Sequence, residues 1–278
     1  MNVLEFTGSV AAGAMAAGFL GALTGLGGGV VIVPLLVLMG VDIHYAIGAS
    51  LISVIATSSG AAASYVKEGY SNIRIGMFLE IATTFGAVTG AYLNDLMNPA
   101  ALSIVFGLVL LVSAYLSLRS RHSRDDGDKA DPLATRLRLD GTFPATDGKK
   151  QSYHVHGVPQ GFGLMYLAGC LSGLLGIGSG ALKVLAMDQA MRIPFKVSTT
   201  TSNFMIGVTA AASAGVYLHR GYIVPSLAMP VMLGVLSGSL LGARVLMAAR
   251  TKVLRIVFSA VIFTLALQMI YKGFTGKL

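Results

Sequence analysis

The chain has 278 residues, of which 54% are hydrophobic and only 12% charged, with a mean hydropathy of +0.74 and a formal net charge of +8. Soluble domains carry about 25% charged residues, so this composition excludes an ordinary soluble enzyme and leaves no polar stretch long enough to fold as a separate domain. The basic balance is expected from Lys/Arg-rich loops on one side of a membrane; a nucleic-acid interface would need a clustered basic face, and here the loop cations are mixed with Asp.

In chain order, the first element is an apolar stretch over 9–23. No basic segment precedes it, and Glu5 is the only early charge, so Ser9 onward is expected to be mature membrane segment rather than a signal peptide. "GLGGG" (Gly25–Gly29) interrupts it, and apolar residues resume over 30–39. As one straight helix, 9–39 would run roughly 46 Å at ~1.5 Å per residue, too long for a ~30 Å hydrocarbon core. The region is therefore a broken span or a re-entrant hairpin. Three uninterrupted apolar segments follow, at 46–65, 75–93 and 100–118.

Residues 119–157 form the one long polar stretch. "RLRLDGTF" and "QSYHVHG" alternate polar and apolar residues around Asp147-Gly148, a turn dipeptide, and predict a small β-hairpin; residues 120–131 read as disordered. His154 and His156 form an isolated HxH. Cys170 is the only cysteine, so no intrachain disulfide can form, and no Cys/His cluster has metal spacing. Neither metal nor cofactor is expected.

After the linker the pattern starts again. "GCLSGLLGIGSG" (169–180) aligns with "GFLGALTGLGGG" (18–29) at an offset of 151. One residue is then inserted, and from there on the offset is 152: "GASLISVIATSSGAAASYVKEGY" (48–70) faces "TTSNFMIGVTAAASAGVYLHRGY" (200–222). The second half thus repeats the interrupted region (161–175, 181–191) and the three segments (199–218, 226–246, 254–271). The expected organisation is a first membrane repeat over 1–118, a linker over 119–157 and a second membrane repeat over 158–278.

Basic residues discriminate between the two readings of the interrupted region. If it crosses, short-loop Lys/Arg divide five (Lys67, Arg74, Arg220, Lys272, Lys277) against five (Arg192, Lys196, Arg250, Lys252, Arg255). If it returns, seven (Lys67, Arg74, Arg192, Lys196, Arg250, Lys252, Arg255) face three, and the eight of the linker join the seven. The positive-inside rule favours the second case. The predicted fold class is thus an all-α polytopic membrane protein of two inverted repeats. Each repeat is a broken, re-entrant hairpin plus three transmembrane helices, with the linker cytoplasmic and both termini outside. Inverted repeats with broken helices are a transporter pattern, the site lying where the breaks meet.

Lys183 sits in the first turn of the half-helix that follows Gly180. Helix N-termini carry unpaired N–H groups and partial positive charge, so a lysine there adds a like charge that an anion would relieve. Glycine lets backbone N–H groups approach a ligand. The candidate anion site is therefore Gly25, Gly27, Gly28 and Gly29 with Gly176, Gly178, Ser179, Gly180 and Lys183. Ser50, Thr201, Ser202 and Asn203, at the starts of the following helices, are candidate oxyanion donors. The bland alternatives are glycine packing, helix capping by the hydroxyls, pairing of Lys183 with Asp188, or snorkelling of Lys183. Glu80, whose counterpart is Met232, is either a proton carrier or the partner of a buried base. Glu80 and Asp188 are the coupling candidates. Arg244 is expected to snorkel.

The two glycine loops, "GLGGGVVIVPLL" with "YAIGASLISV" and "GLLGIGSGALKV" with "KVSTTTSNFMIGVTAAASAGVY", resemble the sulfite exporter TauE/SafE family of membrane permeases, over both halves. Ser179 replaces a glycine of the family's GxGGG, and Leu185 stands where a proline is common, whereas Pro34 is present. The resemblance implies transport of small sulfur-containing anions, sulfite or organosulfonates, with export favoured, in the bacterial inner membrane. An anion moving out of an inside-negative cell gains ~2.3 kcal/mol per 100 mV. An anion channel and a proton-coupled anion importer are the alternatives. An enzyme is not expected, because the apolar segments hold no nucleophile–base set.

Overall fold

The computed structural model describes residues 3–24, 28–67, 71–118, 131–144, 150–248 and 251–276. The first half comprises α1 (Val3–Thr24), α2 (Gly29–Leu38), α3 (Ile43–Lys67), α4 (Ile73–Asn94) and α5 (Pro99–Leu118). The linker contributes α6 (Pro132–Arg136), β1 (Gly141–Pro144) and β2 (Lys150–Tyr153). The second half comprises α7 (Val158–Leu175), α8 (Gly180–Leu185), a π-helical turn (Ala186–Ala190), α9 (Phe195–His219), α10 (Pro225–Ala248) and α11 (Thr251–Thr275). α4 starts before its apolar segment, where Asn72 Oδ1 accepts the Ile75 N–H.

Three helices, Ile73–Asn94, Val158–Leu175 and Pro225–Gly242, are long and apolar enough among the described residues to cross a membrane. Their surfaces are inside-out relative to a soluble protein. Met77, Ile81, Phe85 and Tyr92 form an exposed stripe along α4, while Gly76, Glu80, Thr83, Gly86, Ala87 and Gly90 on the same helix are buried. Small residues line the helix contacts, as packing in lipid favours. Three such helices with apolar outer faces are those of a multi-pass membrane protein.

The halves interlock. α1 packs on α10 as α4 packs on α7, α3 on α10 as α4 on α9, and α3 and α5 pack on α9 and α11. The close approaches match residue for residue. Gly18 lies against the Val235 backbone and Gly169 against that of Thr83, and Gly238 faces Met15 as Gly86 faces Tyr166. Contacts also fix directions. Asn72 N donates to Thr201 Oγ1, Thr209 reaches Glu80, and Arg220 Nη1 donates to the Ala91 carbonyl, so α4 and α9 run the same way. Conversely, the exit of α9 meets the start of α3, where Tyr222 stacks on His44 at 5.2 Å. Gly107 faces Ala266 and Ile270, and Gly273 faces Ala100 and Ile104, so α5 and α11 run in opposite directions.

Each interrupted region turns back on itself. The start of α7 lies beside the end of the π turn: His156 N donates to the Met191 carbonyl at 3.1 Å, and Gly157 and Gly161 abut Ala190 and Met191. In the first half Gly13 packs against Leu35. α2 accommodates Pro34 within a regular helix, whereas α8 passes into the π turn. From Gly29 to Leu38 is 10 residues, while α8 and the π turn contribute 6 and 5. The extra residue that shifts the repeat offset from 151 to 152 is absorbed there, since a π bulge accommodates an insertion within a helix.

The linker hairpin forms as expected: β1 pairs antiparallel with β2, Gly141 opposite Tyr153 and Pro144 opposite Lys150. Its turn at Asp147-Gly148 and most of 120–131 lie outside the described residues. Asp131 caps α6 by accepting the Leu133 N–H, an element the composition did not predict. The hairpin sits on the membrane helices. Asn72 Nδ2 donates to Tyr153 Oη at 2.7 Å, and Arg74 Nη1 to the Arg138 carbonyl at 3.0 Å. Leu139, Tyr153 and Val155 join a core with Ile75, Leu79, Met187, Met191 and Val197. Burial pushes the Tyr153 phenol above its ordinary range, against the Asn72 hydrogen bond.

Candidate functional site

The loop between α7 and α8 is held in left-handed conformations: Gly176 at φ +67°, Gly178 at +71° and Ser179 at +43°. Glycine adopts these freely, while Ser179 carries a strain of about 1 kcal/mol. The two glycine loops meet here. A Cβ on Gly29 would stand 2.8 Å from the Gly176 carbonyl, 2.7 Å from Ser50 Oγ and 2.8 Å from Val54. Gly178 lies between Val54 and Ile206, matched residues of α3 and α9. The tips thus touch beside the α3–α9 crossing. Gly28 lies against Val235 and Gly18. Gly25 and Gly27 lie outside the described residues.

The matched serines close this junction. Ser50 Oγ donates to the Gly176 carbonyl at 2.9 Å, across the halves, and Ser202 Oγ to the Gly180 carbonyl at 3.2 Å, within one half. Thr201 faces elsewhere, its hydroxyl accepting the Asn72 N–H at 3.0 Å beside the start of α4. Asn203 is buried on α9. Asp188 lies in the π turn, half-buried. Arg244 is in α10, and its side chain lies outside the described residues.

Lys183 is completely enclosed. Its Nζ donates to Thr209 Oγ1 of α9, and Thr209 Oγ1 lies 2.7 Å from Glu80 Oε1 of α4, to which it donates. A three-residue chain, Lys183–Thr209–Glu80, therefore joins three elements. Glu80 Oε1 also accepts from Thr84 at 3.4 Å. Among the described residues, three polar ends stay open. Glu80 Oε2 and Ser179 Oγ have no hydrogen-bond partner although both residues are more than nine-tenths buried, and the ammonium has three donors against its one bond to Thr209. Thr209 was missed at the sequence level because a lone threonine in an apolar helix carries no signal. Its counterpart at offset 152 is Thr57, so the repeat could have drawn attention to it.

A polar cluster occupies the end of the bundle where α3 starts and α4 and α9 finish. Arg220 Nη2 stands 3.7 Å from Asp95 Oδ2 and its guanidinium 5.1 Å over Tyr92, and Tyr222 Oη donates to Asp95 Oδ1 at 3.0 Å. Asn94 Nδ2 donates to the Leu174 carbonyl at 2.8 Å and Tyr217 Oη to that of Gly173 at 3.0 Å, tying the end of α7 to α4 and α9. Among the described residues no group of three or more His, Cys, Asp or Glu could hold a metal ion.

A family model described as sulfite exporter TauE/SafE matches residues 10–269. The chain is 30% identical over 267 residues to "Probable membrane transporter protein YunE" of Bacillus subtilis, covering 92% of this chain and 94% of that one. It is 26% identical over 263 residues to a "Probable membrane transporter protein" of Xylella fastidiosa, covering 93% of each. A similarly named Methanocaldococcus jannaschii protein is 26% identical over 271 residues, covering 91% of each. No solved structure matches significantly.

Proposed function

The chain belongs to the TauE/SafE sulfite exporter family, and from that premise we infer that it exports a small anion, sulfite or an organosulfonate, across the bacterial inner membrane. Membrane transport, not enzymatic catalysis, follows from the family and its curated relatives. The anion site is assigned to the junction of the two hairpin tips, with Lys183 as the counter-charge. One observation carries this: a fully enclosed lysine with a single hydrogen-bond partner among the described residues stands a few residues beyond the tip where the glycine loops touch. Buried charges are normally paired, and an ionisable residue inside a membrane protein is a functional site by default. Ser179 Oγ, without a partner among the described residues, is an available donor at the tip.

The two halves are read as inverted repeats, 1–118 and 158–278, with the linker cytoplasmic. The opposite running of α5 and α11, the meeting of the exit of α9 with the start of α3, and the return of each hairpin support this, as does the distribution of Lys and Arg. Tips that touch near the middle of such a pair would be the moving parts of alternating access.

The test is flux of labelled sulfite into liposomes holding the purified protein, beside sulfoacetate, sulfate and chloride, for wild type and Lys183→Met. Saturable sulfite flux that falls at least tenfold in the variant is expected. Saturable flux of a different anion would keep the site and discard the substrate. Non-saturating flux would favour a channel. A variant indistinguishable from wild type would leave Lys183 a structural partner of Thr209 and Glu80.

A further inference from the structure

Resting on the anion site just proposed, we propose that Lys183, Thr209 and Glu80 form a proton-coupling device, in which each anion that takes the Lys183 ammonium is accompanied by one proton taken up by Glu80.

The empty arrangement is neutral: one ammonium and one carboxylate, linked through a hydroxyl. An anion entering alone would leave one uncompensated negative charge in an enclosed place, which is strongly unfavourable. A proton from solvent restores neutrality: Lys⁺, Glu⁻, A⁻ and H⁺ become Lys⁺·A⁻ and neutral Glu80. The bond that forms is O–H on the Glu80 carboxyl. Its Oε2 is the receiving atom, because it is buried without a partner among the described residues, while Oε1 already accepts from Thr209 and Thr84. Thr209 is the positioning residue. Its oxygen accepts from Lys183 and its one proton goes to Glu80 Oε1 at 2.7 Å or to the Met205 carbonyl at 3.0 Å. When the anion draws the ammonium away and Glu80 becomes neutral, the hydroxyl has the Met205 carbonyl to turn to.

The other ionisable groups described on these elements lie elsewhere. α7 and α9 pack on α4 and bring to it Tyr166, Cys170, Tyr217 and Arg220. Tyr166 Oη donates to Thr89, Tyr217 Oη to the Gly173 carbonyl, and Arg220 to Ala91 and Asp95, all further along α4 than Glu80. Cys170 lies beside Gly86 and Gly90. The linker places Arg74, Asp140 and Tyr153 at the start of α4, with Arg74 on the Arg138 carbonyl and Asp140 on Val155 N. Asp188 and Arg192 lie in and just beyond the π turn, each with an interaction of its own. Among the described residues, Lys183 is the cation linked to Glu80.

The consequence is an electroneutral cycle for a monovalent anion: the membrane potential no longer drives its exit, and export then runs on the outward anion gradient, which carries the proton with it. The experiment titrates purified full-length protein with methanesulfonate, whose own charge does not change near neutral pH, in weakly buffered solution carrying a pH indicator. The expected result is one proton absorbed per anion bound, and a Kd that weakens about tenfold per pH unit on the alkaline side. Glu80→Gln should still bind, with no proton uptake and a Kd flat in pH. Thr209→Val should keep the proton uptake but shift its pH midpoint. Binding by wild type with no proton uptake overturns the coupling and leaves the anion site standing. Absence of binding at every pH removes both. Because the wild-type measurement decides the matter, misfolding of a variant does not blunt it.

Discussion

Gly29 and Ser179 carry opposite lessons about side chains at a crowded tip. A methyl group on Gly29 would meet a carbonyl, a hydroxyl and a valine methyl, each at 2.7–2.8 Å. Two of these atoms belong to the packed junction between the halves, so the backbone must shift, and overpacking of this kind costs typically about 1–3 kcal/mol. Gly29→Ala is expected to lower the thermal midpoint of the detergent-solubilised protein by several degrees and to cut flux. Ser179 is the reverse case, a side chain tolerated at φ +43° where glycine would be unstrained. Ser179→Gly should raise stability by about 1 kcal/mol. If its open hydroxyl contacts the anion, the same substitution weakens anion binding severalfold; a variant more stable and equally avid would remove Ser179 from the site. Lys183 shows how burial changes the meaning of a residue. In the sequence it is a cation at a helix start; in the fold it is one end of a chain ending at Glu80.

At the scale of elements, the π turn is where the two halves part company. It takes up one residue and delivers Met191 to His156 and Gly161. Deleting Gln189 should convert it to plain α-helix, as in α2, and leave Met191 in phase with its His156 and Gly161 contacts. We expect a folded protein whose amide exchange at 156–161 matches wild type; faster exchange there would show that the inserted residue is not absorbed by the turn. The linker hairpin is a second device, held by Asn72, which also caps α4. Tyr153→Phe removes one acceptor and should weaken docking by about 1 kcal/mol, seen as faster proteolysis of the linker. The raised phenol of Tyr153 gives a sign as well. Its contribution is complete below the ordinary tyrosine range near 10 and is lost as pH rises through the higher folded value. Linker proteolysis should therefore accelerate in strongly alkaline solution in wild type, and less so in Tyr153→Phe.

For the whole molecule, orientation is the quantity that divides the topological readings. With Cys170 replaced by Ala, a cysteine placed at Gly276 should react with an impermeant reagent applied outside cells, and one placed at Gly127 should not. The reverse pattern would overturn the inverted arrangement proposed for the repeats. The helix pairs make the same point in packing terms. α1 with α10 and α4 with α7 are one crossing built twice, from Gly18 on Val235 and Gly169 on Thr83. Each half therefore completes the other, because the hairpin of one packs on the long helices of its partner.

Composition, apolar periodicity and the internal repeat by themselves determined that this chain is a helical membrane protein of two similar halves, and the glycine motifs pointed to its family. These properties are local or additive: hydropathy is summed over a segment, and a repeat is visible as an offset. The inserted residue between the offsets was legible as well, though not the π turn that houses it. Tertiary structure alone decided which groups face one another. Ser50 and Ser202 are matched in sequence, yet Ser50 bonds to a carbonyl of the other half and Ser202 to one of its own, and Thr201 holds the start of α4 instead of lining the tips. Glu80 and Lys183 are 103 positions apart, and a threonine that no motif marks connects them. Such pairings depend on how helices cross, and a crossing is set by side-chain shape on both partners at once, which no single segment of sequence encodes.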